Sequence, residues 1–516
     1  KTNTTGSYNT AVGDSALAVA TTAAYNTAVG RSALGSNTTG ATNTAVGKSA
    51  LGANTTGAYN TAIGYGAADA NTTASHTNAF GRDALGSNTT GAQNCAFGSY
   101  ALRDNTTGYG NISVGYGALM LCTEGYNNTA MGFEALDALT TGDMNIAIGY
   151  HALGATTTAN SNTAIGVQAM QDNTTGYGNV AVGYQALDNN TTSAYNTAVG
   201  YEACKANTTG SSIVAVGYNA LHDNTTGYNN TAVGYNAGAS ITTGNHNTAI
   251  GNQALDAATT ASQNTAVGHT SLTACTGAQN TAVGTYTGSG VTSGTGNTIL
   301  GYHTATAITT GDANTALGRM ALNACTTSDQ NTAVGYDAGN EITTGANNTC
   351  IGYQAGKSSS PDQVITSSNK IVLGNNSVTN TYVKVDWTVT SDRRDKTDIE
   401  PFNHGLSWIN KLNPVTYRWD MRSDYEDGKP DGSKKASQLN VGLIAQDELE
   451  VEKEHGYGDT SDNMLVSHIG ETGNYGMQYS KLVPILINAV KELSAKNDEL
   501  VAANTALAAR VSALES

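Results

Sequence analysis

The sequence predicts an all-β repeat rod, a β-solenoid of 17-residue units, followed by a small α+β unit that ends in a coiled-coil helix. Three observations predict it. One glycine register runs through residues 1–357, the composition breaks near Ser358, and a heptad pattern fills the last thirty residues.

The register comes first, because an internal repeat decides the fold before any local propensity does. The unit reads Asn-Thr-Thr-Gly-x-x-Asn-Thr-Ala-Val-Gly-x-x-Ala-Leu-x-x. Its mark is a glycine after Val, Ile, Phe, Leu or Met. That glycine falls every 17 residues from Gly13 to Gly268, then after one 16-residue step at Gly284, Gly301, Gly318, Gly335 and Gly352, making 21 copies. Seventeen residues are too few for a helix pair. Thr, Val, Ile and Tyr favour strands, and Asn, Gly and Thr clusters favour turns. Two short strands per unit are expected, Asn-Thr-Ala-Val before the glycine and Ala-Leu after it. Alternation puts Thr10 and Val12 on one face and Asn9 and Ala11 on the other. A coil this small is expected to have little interior, so winding three chains together would supply a second buried face. Rungs at about 4.8 Å give a rod of roughly 100 Å.

The composition excludes several classes. The chain has 516 residues with 60 Gly, 5 Pro, 6% aromatic and 12% charged residues, about half the charge fraction of an ordinary globular protein. Residues 1–357 hold 8 Lys/Arg, 17 Asp/Glu and no Pro or Trp, whereas residues 358–516 hold 16 Lys/Arg, 23 Asp/Glu, all five Pro and all three Trp. The net charge of −16 argues against a nucleic-acid partner. No apolar run reaches about 18 residues, so no membrane insertion is expected. The chain opens inside a repeat, at Lys1-Thr2-Asn3-Thr4-Thr5-Gly6, so a segment ahead of it is expected.

Within the repeats, the position after the marker glycine carries Asp14, Arg31, Lys48, Arg82 and Arg319, which predicts exposure. Tyrosines share it, and Tyr184, Tyr201, Tyr218 and Tyr235 fall on four consecutive rungs. They are candidate glycan contacts; the plainer reading is a stabilising surface stack. The six cysteines (95, 122, 204, 275, 325, 350) lack metal-ligand spacing and read as free buried thiols, in keeping with assembly in a reducing cytoplasm. Neither a metal nor a cofactor is expected. The recurring Asn-x-Thr triplets are explained by turn chemistry without glycans. Glu124, Glu134 and Asp137 lie close in sequence, but a glycosidase pair needs a cleft.

The pentad Asn9-Thr10-Ala11-Val12-Gly13 and its copies resemble the head repeats of trimeric autotransporter adhesins. That resemblance covers 1–357 and implies a trimeric left-handed parallel β-roll. The unit here is longer, and no membrane-anchor barrel is read after it, so tethering to the cell's own outer membrane is not expected.

Residues 358–390 leave the register. Ile371-Val372-Leu373-Gly374 and the stretch Thr381 to Trp387 read as strands that cap the rod and form a neck. Four ordered motifs follow. They are Ser391-Asp392-Arg393-Arg394-Asp395-Lys396-Thr397-Asp398-Ile399, Leu412-Asn413-Pro414-Val415-Thr416-Tyr417-Arg418-Trp419, Val441-Gly442-Leu443-Ile444-Ala445-Gln446-Asp447 and Tyr479-Ser480-Lys481-Leu482-Val483-Pro484-Ile485-Leu486. Together they resemble the intramolecular chaperone auto-processing domain of endosialidase-type phage tailspikes and tail fibres, a domain type also found in the myelin regulatory factor. The resemblance spans 391–516, as a domain over 391–478 and a coiled-coil helix over 479–516. The family's usual apolar residue before the lysine is Asp395 here.

The resemblance implies a trimeric chaperone that helps fold the fibre and then cuts itself off between Thr390 and Ser391, with Ser391 as nucleophile and Lys396 as base. A serine hydroxyl needs a base to take its proton, and a lysine serves only when its neutral form is populated. Desolvation and nearby cations populate it, and Arg393 and Arg394 are candidate cations. Five residues turn about 500° on a helix, so the chain must bend between Ser391 and Lys396, or packing between copies must place them. In the tail, Leu486, Val490, Leu493, Asn497, Leu500, Asn504, Leu507, Val511 and Leu514 alternate by four and three, a parallel coiled-coil seam with Leu at every d position. A single helix packed on its own domain is the plainer reading of that tail.

The expected function is a homotrimeric phage tail-fibre or spike shaft for host-surface attachment. The partners are copies of itself and a host glycan or protein receptor. The expected location is the virion tail fibre, assembled in the host cytoplasm. The alternatives are a cell-surface adhesive or structural filament with the same maturation device, and a polysaccharide depolymerase.

Overall fold

The computed structural model describes residues 4–360, 363–385, 387–470 and 473–515. The chain forms a parallel β-solenoid with turns of about 17 residues, followed by two small antiparallel sheets and a long C-terminal helix. It divides into two compact units, 1–331 and 332–516.

In the first unit each turn contributes one three-residue strand, from Thr10–Val12 to Thr315–Leu317. Neighbours pair in parallel and in register, Thr10 against Thr27 and Val182 against Val199. The single 16-residue step is absorbed without a register slip, since Thr265 still faces Thr281.

The second expected strand does not form. The Ala-Leu segment is a chain of turns in which a leucine adopts left-handed backbone, with φ of 48° at Leu34 and 50° at Leu51. Left-handed backbone is costly for a bulky residue. It is held because the Leu34 side chain is fully buried and its N–H donates to the Ala50 carbonyl one rung on, at 3.1 Å. A second left-handed corner precedes it by two residues, as at Ser32 (φ 59°). Such corners bend a 17-residue coil more tightly than two strands would. The marker glycine is required by close stacking: Gly200 has φ of 142°, and a Cβ there would run into the Gly217 carbonyl oxygen.

The coil also has an interior of its own, contrary to the expectation of little. Ala28, Ala33 and Leu34 are fully buried within one chain, and so are asparagines. Two asparagine ladders run up that interior. Asn111 takes a bond from the Asn128 N–H (2.9 Å) and donates to the Gly125 carbonyl (2.8 Å), and its own N–H donates to Asn94 Oδ1 (2.9 Å). In the second ladder Asn54 Nδ2 donates to Asn37 Oδ1 (2.9 Å) and to the Gly57 carbonyl (3.0 Å). Each amide thereby satisfies backbone groups that a small coil leaves unpaired. The asparagines of these Asn-x-Thr triplets are therefore interior groups.

Five of the six cysteines are buried and Cys95 is half-buried; all six are free thiols. Cys122, Cys275 and Cys325 stand where other turns carry the second-ladder asparagine, each against the carbonyl that the amide would meet. Burial pushes the Cys122 and Cys204 thiols up to about 12.

The second unit opens with strands Thr332–Val334, Thr349–Ile351 and Ile371–Leu373. The last pairs Thr349 with Ile371, a step of 22 residues, so the solenoid continues past the loss of the sequence register. The other expected neck strand is absent. Residues 381–385 and Trp387 form no strand, and Asp386 lies outside the described residues. Tyr382 and Trp387 are exposed; no strand within the unit pairs with this stretch.

Beyond the neck, helix α1 (Leu406–Ile409) is followed by an antiparallel pair, Val415–Tyr417 with Asn440–Gly442. Helix α2 (Ala445–Glu454) comes next, then a second pair, Ser467–Ile469 with Tyr475–Met477, and helix α3 (Leu482–Glu515). Trp408, Val451, Val466, Leu482 and Ile485 form the core. Two buried acids tie it together. Glu452 accepts from the Leu465, Val466 and Ser467 N–H groups (3.1, 2.6 and 2.5 Å), which fixes the Ser467 strand on α2. Glu448 accepts from Trp408 Nε1 (2.9 Å), while its other oxygen is buried without a partner. Burial pushes the Glu448 carboxyl up to about 7.

Helix α3 uses two faces. Leu482, Ile485 and Ala489 are buried, and Asn488 and Glu492 bond to the Phe402 carbonyl and the Leu406 N–H. The heptad seam lies elsewhere: Leu486, Val490, Leu493, Leu500, Leu507 and Val511 are 44–65% exposed.

Candidate functional site

The Ser391 segment is shaped by local capping. Asp392 caps a short 3-10 turn, Arg393–Asp395, by accepting from the Arg394 N–H at 2.9 Å. The turn closes as the Lys396 N–H donates to the Arg393 carbonyl at 3.2 Å. This is the bend that five residues need: it carries Lys396 back until Nζ donates to Ser391 Oγ at 2.5 Å. Serine and lysine are thus in direct contact. Thr390, Ser391 and Lys396 are all exposed, and the contact lies in no enclosed cleft.

One expected cation is otherwise engaged. Arg394 Nη2 pairs with Asp392 Oδ2 at 2.6 Å, and the guanidinium holds the Asp392 carboxyl below the usual carboxylate range. Arg394 belongs to the capping aspartate, because a carboxylate two residues away is its nearest partner. The family's apolar position, Asp395, lies in the last residue of the 3-10 turn and is exposed.

The tyrosines Tyr184, Tyr201, Tyr218 and Tyr235 stack on four rungs, with ring centroids 5.1, 5.1 and 5.2 Å apart and planes within 16°. All four are exposed. Each inner ring has both faces covered by its neighbours, so the ladder offers ring edges and hydroxyls outward. Sequence reading passed over a second ladder in the same column, Tyr116–Phe133–Tyr150, with centroids 5.4 and 5.6 Å apart. Its signal was present: Phe133 also follows a marker glycine.

Glu134 faces His151 at 3.4 Å. Burial, then the charge of Glu134, pushes the Asp137 carboxyl up. Among the described residues no cluster of His, Cys, Asp and Glu could hold a metal, and no helix is long and apolar enough to cross a membrane.

The Ser391 segment belongs to a chain that combines a parallel solenoid of about 17-residue turns with a small α+β unit and a long terminal helix. Residues 391–457 match the family model described as chaperone of endosialidase, and the match begins at Ser391 itself. Solenoid and matched segment together fit an endosialidase-type tail fibre. The match is narrower than the 391–516 read from sequence and stops short of α3. No curated protein and no solved structure matches the chain.

Proposed function

We propose that the chain is the shaft of a homotrimeric phage tail fibre or spike, folded by its C-terminal domain, which then cuts itself off between Thr390 and Ser391. The observation that carries this reading is the 2.5 Å contact from Lys396 Nζ to Ser391 Oγ at the first residue of the matched segment. In this reaction Ser391 Oγ attacks the carbonyl carbon of Thr390. Lys396 takes the hydroxyl proton and passes it to the Ser391 nitrogen as the peptide C–N bond breaks. Water then hydrolyses the Thr390 ester, leaving a carboxylate on Thr390 and a free amine on Ser391. Packing of a second copy over the exposed pair would desolvate the lysine, and desolvation favours its neutral form. Cutting would then follow assembly.

The exposed heptad seam of α3 supports parallel association of copies of the chain, and the number of strands is not set by the seam alone. The outward tyrosine edges and hydroxyls support a host glycan as receptor, met by hydrogen bonds rather than by stacking on ring faces. Assembly takes place in the host cytoplasm, and the mature shaft stands in the virion.

A denaturing gel of freshly expressed protein tests the cleavage. The expected result is a large fragment ending at Thr390 and a small one starting at Ser391, with Ser391→Ala leaving one band. A wild-type chain that trimerises and stays whole would remove the cleavage and spare the chaperone.

A further inference from the structure

The third position of the solenoid strands carries an interaction surface. On all nineteen strands of the first unit that residue is Val, Ile, Phe, Met or Leu, and on none of them is it buried. The first strand position, two residues earlier, points to the same side. It accepts Thr, Asn and Cys as well as Ile and Val. The third position therefore varies in size, from Val to Phe, but not in polarity. A solvated sheet face has no need of that restriction: an antiparallel or parallel face left in water normally carries polar residues. Register pairing stacks these side chains without a gap, Val182 on Val199 on Val216 on Val233. Soluble monomers rarely expose a contiguous apolar patch above a few hundred Å². Nineteen side chains, many about two-fifths exposed, amount to on the order of 1,000 Å², more than the about 800 Å² each partner gives to a stable specific interface.

We infer that this apolar column is the face along which copies of the chain pack against one another in parallel and in register. The inference rests on the trimer proposed above and adds where the copies meet. Spacing selects the occupant. A partner must offer an apolar group at every rung, over all nineteen rungs, and a second copy of this chain has that spacing by construction. Parallel association through the α3 seam would set equal rungs side by side. The column after the marker glycine, with Asp14, Arg31 and the tyrosines, would then form the polar and aromatic rim that surrounds an apolar interface core.

The test uses the full chain with Cys95→Thr, which removes the half-buried thiol at a strand's first position. Val199→Cys is compared with Thr209→Cys, an exposed turn residue. Each is treated with a short bismaleimide and run on a denaturing gel, and light scattering gives the mass of the same samples. Covalent dimers are expected from Val199→Cys, since one accessible thiol per chain joins chains in pairs, and a single chain from Thr209→Cys. A sample that scatters as a trimer but gives no adduct at Val199→Cys overturns the interface and leaves the trimer standing. Equal adducts at both positions overturn it too, and a monomeric mass overturns both readings. As a second measure, Val182→Glu, Val199→Glu and Val216→Glu together should lower the thermal midpoint of the solenoid by more than 10 °C. An unchanged midpoint would show the column to be ordinary solvated surface.

Discussion

In a solenoid turn, a short side chain meets its own counterpart one rung away: Asn111 bonds to Asn94 and Asn128, and Leu34 lies fully inside its own chain. In the terminal helix, every described residue from Leu493 to Glu515 is exposed, the heptad leucines included. The first region carries its partner in its sequence, because a repeat templates itself. The second has an apolar seam that nothing described in its own unit covers. The lesson is that burial in a repeat can be local even when each turn is small, provided polar groups in the interior are paired.

The comparison can be broken most sharply at Glu452, where one buried carboxylate does for the C-terminal unit what an asparagine ladder does for the solenoid. Glu452→Leu strands three backbone N–H groups and should cost about 3–5 kcal/mol. The three tryptophans lie outside the repeats, so tryptophan fluorescence in a denaturant series reports that loss while leaving the solenoid transition in place. If both transitions move together, the two regions do not fold independently.

Next is pH. Folded Glu448 keeps its proton to about 7, whereas an unfolded glutamate loses it near 4.5. The folded unit therefore binds more protons across that window. Its stability should fall as pH rises from about 4.5 to about 7, by up to about 3 kcal/mol, and level off above. Glu448→Gln should flatten this part of the profile. A wild-type tryptophan transition with no such slope would show that the carboxyl reaches water.

In the solenoid, Asn111→Ala leaves the Gly125 carbonyl and the Asn128 N–H without their partner and should cost about 2–3 kcal/mol, read by far-ultraviolet circular dichroism on heating. Ile213 already interrupts this ladder, with its N–H on Asn196 Oδ1, so the effect should stay within neighbouring turns; amide hydrogen exchange checks that spread. The smallest change is expected for Tyr201→Ala, which removes two ring stacks from an exposed ladder, at about 1 kcal/mol or less. A loss comparable to that at Asn111 would make the tyrosines a main support of the rod.

Much of this was legible beforehand. The glycine register is a direct sign of stacked backbones, since no side chain fits between Gly200 and Gly217. The motif order around Ser391 marked the segment that the family model matches. The Ala-Leu segment was misread as a strand because left-handed leucine is intrinsically unfavourable and becomes tolerable through the inter-rung bond and complete burial. Ile371–Leu373 forms the strand read from its residues, but its pairing with Thr349–Ile351 was not legible, because periodicity cannot see a 22-residue step. The stretch from Thr381 to Trp387 has strand propensity but no neighbouring strand in its unit.

By itself, then, the sequence determined the period, the strand before each marker glycine, the composition break and the heptad periodicity of the tail. These depend on local sterics and on alternation, which act between near neighbours in the chain. Tertiary structure alone decided which asparagines turn inward, that Arg394 is held by Asp392, and that Lys396 reaches Ser391. Those outcomes depend on how the backbone bends back on itself, and spacing along a chain does not state the distance between two side chains once it has turned.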